Sequence, residues 1–183
     1  MDAIAEITSY AQYAAFGERL RSLGFTEDFS EGAPLCRWVC GRTILDVMPL
    51  DESILGFSNR WYKAAMEFSL TKRLSADLGI RVVTAPYFVA IKFEAFKGRG
   101  RGDFLGSHDL EDLVLIVDGR ETLAAEVQAE RPELREYIQD EVRRLLADPT
   151  FLDALPGYLL PDAASQSRIT LVLSRLKHLA SFR

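Results

Sequence analysis

Pro86 divides this chain into two kinds of sequence. Before it, short β-rich runs alternate with turn signals; after it, apolar positions recur almost everywhere at helical spacing. A chain patterned in this way folds as α+β. We expect a small mixed β-sheet with packed helices over residues 1–85, followed by a helical C-terminal subdomain over residues 86–183. Nearly half of the 183 residues are hydrophobic, enough for a core of that size and too many for a disordered chain.

Local signals refine this plan. Ala3 to Ile7 alternates weakly and reads as a strand. Ser9 suits the N-cap of a helix through ERLRSLG that Gly24 can end. CRWVCG and RTILDVMPL read as two strands joined at Gly41-Arg42, a hairpin turn. The stretch from Asp51 to Asn59 reads as loop, with a short helix around Arg60 to Ala65. MEFSLTKRL and GIRVVTAP read as two further strands around ADLG. Pro86 and Pro132 suit first helical positions, and DAASQSRITLVLSRLKHLASF reads as one closing amphipathic helix.

Composition removes several classes of function. The net charge of −5 gives no basic footprint for nonspecific nucleic-acid binding. Cys36 and Cys40 are the only cysteines, too few for a zinc site without other ligands, and they suit small apolar positions in a reducing cytosol. MDAIAEITSY lacks the basic-then-apolar pattern of a signal peptide. No apolar run approaches the ~20 residues that span a bilayer. A cytoplasmic protein with no membrane partner is expected.

Five places could carry chemistry. Asp46 lies in an apolar strand where Ile44, Asp46 and Met48 share one face and Leu45 and Val47 the other. If that first face is the core, Asp46 needs a partner or a metal ion; otherwise the face is open. Lys92 has Phe88 and Phe96 one turn away, and either snorkels or points at an anion. The run KGRGRGD, with Lys97, Arg99 and Arg101, reads as a solvated linker or as a phosphate-contacting loop. It is not a Walker loop, because no G-K-[ST] follows. Ser107 suits an N-cap, and Asp109 and Asp112 share one face of the helix it opens, where acidic residues also complement the dipole. Asp2 precedes the first strand and carries no signal by itself.

Together these residues form a familiar pattern: an Asp on each of two strands, K-x-x-A at Lys92 to Ala95, an arginine-bearing turn, and H-D-x-x-D at His108 to Asp112. The pattern resembles the nucleotidyltransferase-fold proteins related to the AbiEii/AbiGii-type toxins, within the DNA polymerase β-like superfamily. SEGAPLCRW, DVMP, GFSNRWY and all of residues 86–120 look like that group, and the resemblance runs from Asp2 to about residue 175. It implies a metal-dependent transfer of a nucleotidyl group from an NTP to a hydroxyl acceptor, with Mg²⁺ or Mn²⁺ as cofactor. By the same resemblance Asp46 matches the third carboxylate of the metal site and Asp2 the second Asp of a D-x-D pair. Lys92 matches the lysine that meets nucleotide phosphates, with Arg99 and Arg101 beside it. Asp109 matches a catalytic acidic residue, here preceded by His108 in place of Lys or Arg. Asp112 matches a second acidic position with a structural role. The family pattern also has a Gly-Gly or Gly-Ser turn and a first Asp upstream of Asp2. The chain is therefore expected to be an N-terminally shortened or degenerate member, with an edge that a second copy could cover.

Three functions follow as expectations. The first is a nucleotidyltransferase, toxin-like, acting on an RNA or protein acceptor and partnered by an antitoxin. The second is a catalytically incomplete relative that serves as a nucleotide-binding or protein-interaction module. The third is nucleic-acid binding through KGRGRGD alone, which the acidic net charge opposes.

Overall fold

The computed structural model describes residues 1–99 and 102–181. Its contacts cluster into two compact units, Met1–Met66 and Glu67–Arg183. The division therefore falls earlier than Pro86, where the secondary-structure type changes, and the last two strands belong to the second unit. Each unit mixes strands and helices, where the sequence pattern assigns strands only to the first part; the chain is α+β, with one four-stranded and one two-stranded sheet among the described residues.

The first unit is built on strands β1 (Asp2–Ala5), β2 (Thr26–Glu27), β3 (Arg37–Cys40) and β4 (Thr43–Pro49), in the order β1-β4-β3-β2. β1 and β4 run parallel; the other neighbours are antiparallel. Gly41 holds φ +57°, the left-handed conformation that a tight hairpin turn favours, and Cys40 pairs with Thr43 across it. The alternation of β4 then decides its two faces. Val47 is fully buried and Leu45 partly so, packed with Trp38, Leu20, Ile7 and Ile54, while Ile44 stays exposed. Asp46 therefore lies on the open face of the sheet.

Helix α1 (Tyr10–Ser22) covers the buried face. Ser9 caps it by accepting the Gln12 N–H, and Gly24 at φ +86° takes the left-handed position after its last turn. Gly17 lets α1 approach closely, since a Cβ there would stand 3.2 Å from the Trp38 ring. The expected loop after Asp51 contains a four-residue helix, α2 (Glu52–Leu55), capped by Asp51 and ended by Gly56 at φ +76°. Helix α3 (Tyr62–Glu67) follows as anticipated.

The second unit opens with the hairpin β5 (Leu70–Arg73) and β6 (Gly79–Val82), whose ladder residues are all exposed. Helices α4 (Ala85–Arg99), α5 (His108–Gly119), α6 (Leu123–Gln128), α7 (Pro132–Ala147), α8 (Pro149–Ala154), α9 (Ala163–Ser167) and α10 (Ile169–Ala180) make up the rest, with a 3₁₀ turn at Leu155–Tyr158. α4 packs on α5 and α7, and α10 packs on α5 and α7. Val89, Leu110, Ile138, Val142, Phe151 and Val172 are almost fully buried between them. The closing helix is two pieces: the Arg168 N–H bonds to the Ser165 carbonyl three residues back at 3.0 Å, and the Arg168 side chain donates from Nε to Asp118 at 2.8 Å. Arg175 donates to the carbonyls of Val117 and Asp118, so α10 supplies a cation to the C-terminal end of α5. Among the described residues no helix is long and apolar enough to cross a membrane.

Candidate functional site

The charged side chains singled out from the sequence fall, with Arg37, into two clusters, one inside each unit. The first is a row across the open face of the four-stranded sheet. In the parallel β1–β4 pair Asp2 stands opposite Asp46, and in the antiparallel β3–β4 pair Arg37 stands opposite Asp46. Residues in register on neighbouring strands point to the same face, so the order across the sheet is Asp2, Asp46, Arg37. Arg37 grips Asp46 with a bidentate fork, Nε to Oδ1 at 2.8 Å and Nη2 to Oδ2 at 2.8 Å. The Asp46 side chain is 17% exposed and the Asp2 side chain 59% exposed. The hydrogen bond to Asp46 raises the Arg37 guanidinium above its ordinary pKa, so it stays charged throughout the working range. Cys36 lies next to this row; burial pushes its thiol up, and the nearby Asp46 charge adds to the effect.

The second cluster ties α4 to α5. Lys92 Nζ lies 3.3 Å from Asp109 Oδ1 and 2.5 Å from Asp112 Oδ2. The Lys92 and Asp109 side chains are 11% and 5% exposed. Burial alone would lower the lysine pKa; the hydrogen bond and charge of Asp112, then Asp109, outweigh it and leave the pKa raised. The Phe88 ring, 5.5 Å away, faces the same ammonium. The anions that Lys92 meets are thus the protein's own carboxylates. Ser107 caps α5 as anticipated, accepting from Leu110 N–H at 3.3 Å, which fixes the first turn that carries Asp109. His108 points away from the cluster and pairs with Glu111 at 3.0 Å.

The glycine-arginine run is partly helical. α4 continues through Lys97 and Gly98 to Arg99, and Lys97 pairs with Glu94 at 2.8 Å and Glu141 at 2.9 Å. The Arg99 side chain and all of Arg101 lie outside the described residues. Beyond them, Asp103 orders the turn into α5 by accepting from the N–H groups of Leu105 and Gly106.

Among the described residues no group of three or more His, Cys, Asp or Glu side chains is placed to hold a metal ion. Asp2 and Asp46 are two hard carboxylates on adjacent strands. That donor set fits Mg²⁺ or Mn²⁺, which keep several waters and take only one or two carboxylates when substrate phosphates complete the shell. Arg37 was not anticipated as part of this row, although the signal is in the sequence. A two-residue turn at Gly41-Arg42 sets Cys40 against Thr43, and counting back along both strands sets Arg37 against Asp46. Compared with family models, with curated proteins and with solved structures, the chain gives no match.

Proposed function

We propose that this chain carries part of a metal-dependent nucleotidyltransferase site, which moves a nucleotidyl group from an NTP to a hydroxyl acceptor. One observation carries the reading: Asp2 and Asp46 stand in register on adjacent parallel strands, on the open face of the sheet. Two carboxylates from neighbouring strands are two of the three donors that the resemblance implies for such a site. The motif resemblance over residues 86–120 supports the same reading.

In this reading Asp2 and Asp46 hold a divalent cation, and the sheet fixes their spacing. A bound cation would neutralise phosphate charge, which is most of what phosphoryl-group chemistry asks of a protein. Arg37 stands beside them as a fork whose geometry suits phosphate oxygens. Lys92, Asp109 and Asp112 act together as a tie between α4 and α5, a positioning role. The test is Mn²⁺- or Mg²⁺-dependent transfer of labelled nucleotide from each of the four NTPs to RNA and protein acceptors. Transfer that is lost in Asp46→Asn supports the reading; transfer unaffected by Asp46→Asn sinks it.

A second reading is favoured by the fork itself: Arg37 engages both oxygens of Asp46, which suits a module that binds nucleotide without turnover. It predicts metal-dependent NTP binding with no labelled product for any acceptor.

A further inference from the structure

The Arg37–Asp46 fork has a consequence for how the sheet site is regulated. Asp46 has two oxygens, and both accept from Arg37 at 2.8 Å. A divalent cation on that carboxylate would sit within a few ångströms of a guanidinium that stays charged at every working pH, and the two would repel. A planar fork of this kind transfers well to phosphate oxygens, which it holds bidentately.

We propose that Arg37 is the built-in competitor for Asp46, which keeps the carboxylate occupied until metal and triphosphate arrive together. The inference rests on the metal site proposed above and adds its regulation. With Arg37 on Asp46, a cation alone finds its ligand already taken. With a triphosphate present, Arg37 gains an anion of its own and Asp46 is released. Metal and nucleotide then favour one another's binding without touching any further residue, a coupling that is reciprocal by linkage. A purely structural cross-strand pair would show no such effect on metal affinity.

The test uses the full chain and Mn²⁺ alone, read by titration calorimetry and by the electron paramagnetic resonance signal of free Mn²⁺. The wild type is compared with Arg37→Gln, Arg37→Lys and Asp46→Asn, each checked for native circular dichroism. Arg37→Gln should bind Mn²⁺ about five- to a hundredfold more tightly than the wild type, the usual span of coupled sites. Arg37→Lys keeps the charge and loses the fork, so it should fall between them and serves if Arg37→Gln folds poorly. Mn²⁺ affinity in Arg37→Gln and Arg37→Lys equal to or weaker than that of the wild type overturns the competitor role. If those affinities do not rise while Asp46→Asn weakens binding, only this inference fails. If Asp46→Asn binds Mn²⁺ as the wild type does, the metal site itself fails, and the inference with it.

Discussion

The two units each hold an acid–base cluster, and the clusters differ in where their charges lie. Lys92 and Asp109 are buried between two helices, and Asp112, whose side chain is 40% exposed, meets Lys92 from the rim. Asp46 and Arg37 lie on an open sheet face beside a well-exposed Asp2. A buried pair is bound to the fold, because neither charge has water to fall back on. An open one can exchange partners at little cost, which a binding site requires. The family resemblance draws on both clusters. The structure gives them different physical characters: the helical one is a buried tie, the sheet one a part-buried pair beside an exposed carboxylate.

The sharpest way to break this comparison is to remove one cation from each. Lys92→Ala takes the ammonium away from the buried Asp109 carboxylate and should cost about 3–5 kcal/mol in urea unfolding. The pair Lys92→Met with Asp109→Leu should recover most of that loss, since both members of the buried pair are removed together. Arg37→Gln leaves Asp46 partly hydrated and should cost only about 1–2 kcal/mol. Equal losses for Lys92→Ala and Arg37→Gln would contradict the distinction.

Smaller effects sharpen it. Ser107→Ala removes the cap that positions the turn of Asp109, and should lower stability by about 1 kcal/mol. The helical tie also has a pH signature. The folded state raises the Lys92 pKa above its ordinary 10.5, so its contribution is fully present below that value and is lost as pH rises through the folded value. Tyr158, pushed up to about 12 by burial, adds loss in the same direction above its ordinary 10.0. Urea unfolding followed from pH 9 upward should therefore show falling stability. The Lys92→Met, Asp109→Leu variant should show a shallower fall, with the tyrosine part remaining.

Much of the fold was legible because short-range signals specify it. Ser9 and Gly24 bracket α1, Gly41 sets the β3–β4 turn, and Ser107 and Pro132 open α5 and α7 as expected. What escaped depends on partners far away in the chain. α2 was hidden because four residues between Asp51 and Gly56 are too few to show a period. The closing helix divides at Arg168, whose guanidinium pairs with Asp118, fifty residues earlier. At the candidate site, periodicity placed Asp46 on a face with Ile44 and Met48. Only the packing of Val47, and in part Leu45, against the core shows that Asp46 lies on the other face. Lys92 among aromatic residues left two readings. Packing of α4 on α5 settles its neighbours as Asp109 and Asp112, because side chains on separate helices meet only in the folded state.

The central claim is that Asp46, on the open sheet face, holds the cation through which a nucleotide binds. The most direct measurement is titration of the full chain with each NTP, with and without Mn²⁺, for the wild type, Asp46→Asn and the Lys92→Met, Asp109→Leu variant. The account predicts Mn²⁺-dependent binding in the wild type, loss in Asp46→Asn, and retention in the helical double variant. Binding that survives Asp46→Asn and disappears in the double variant would contradict it, and would move the nucleotide to the helical cluster.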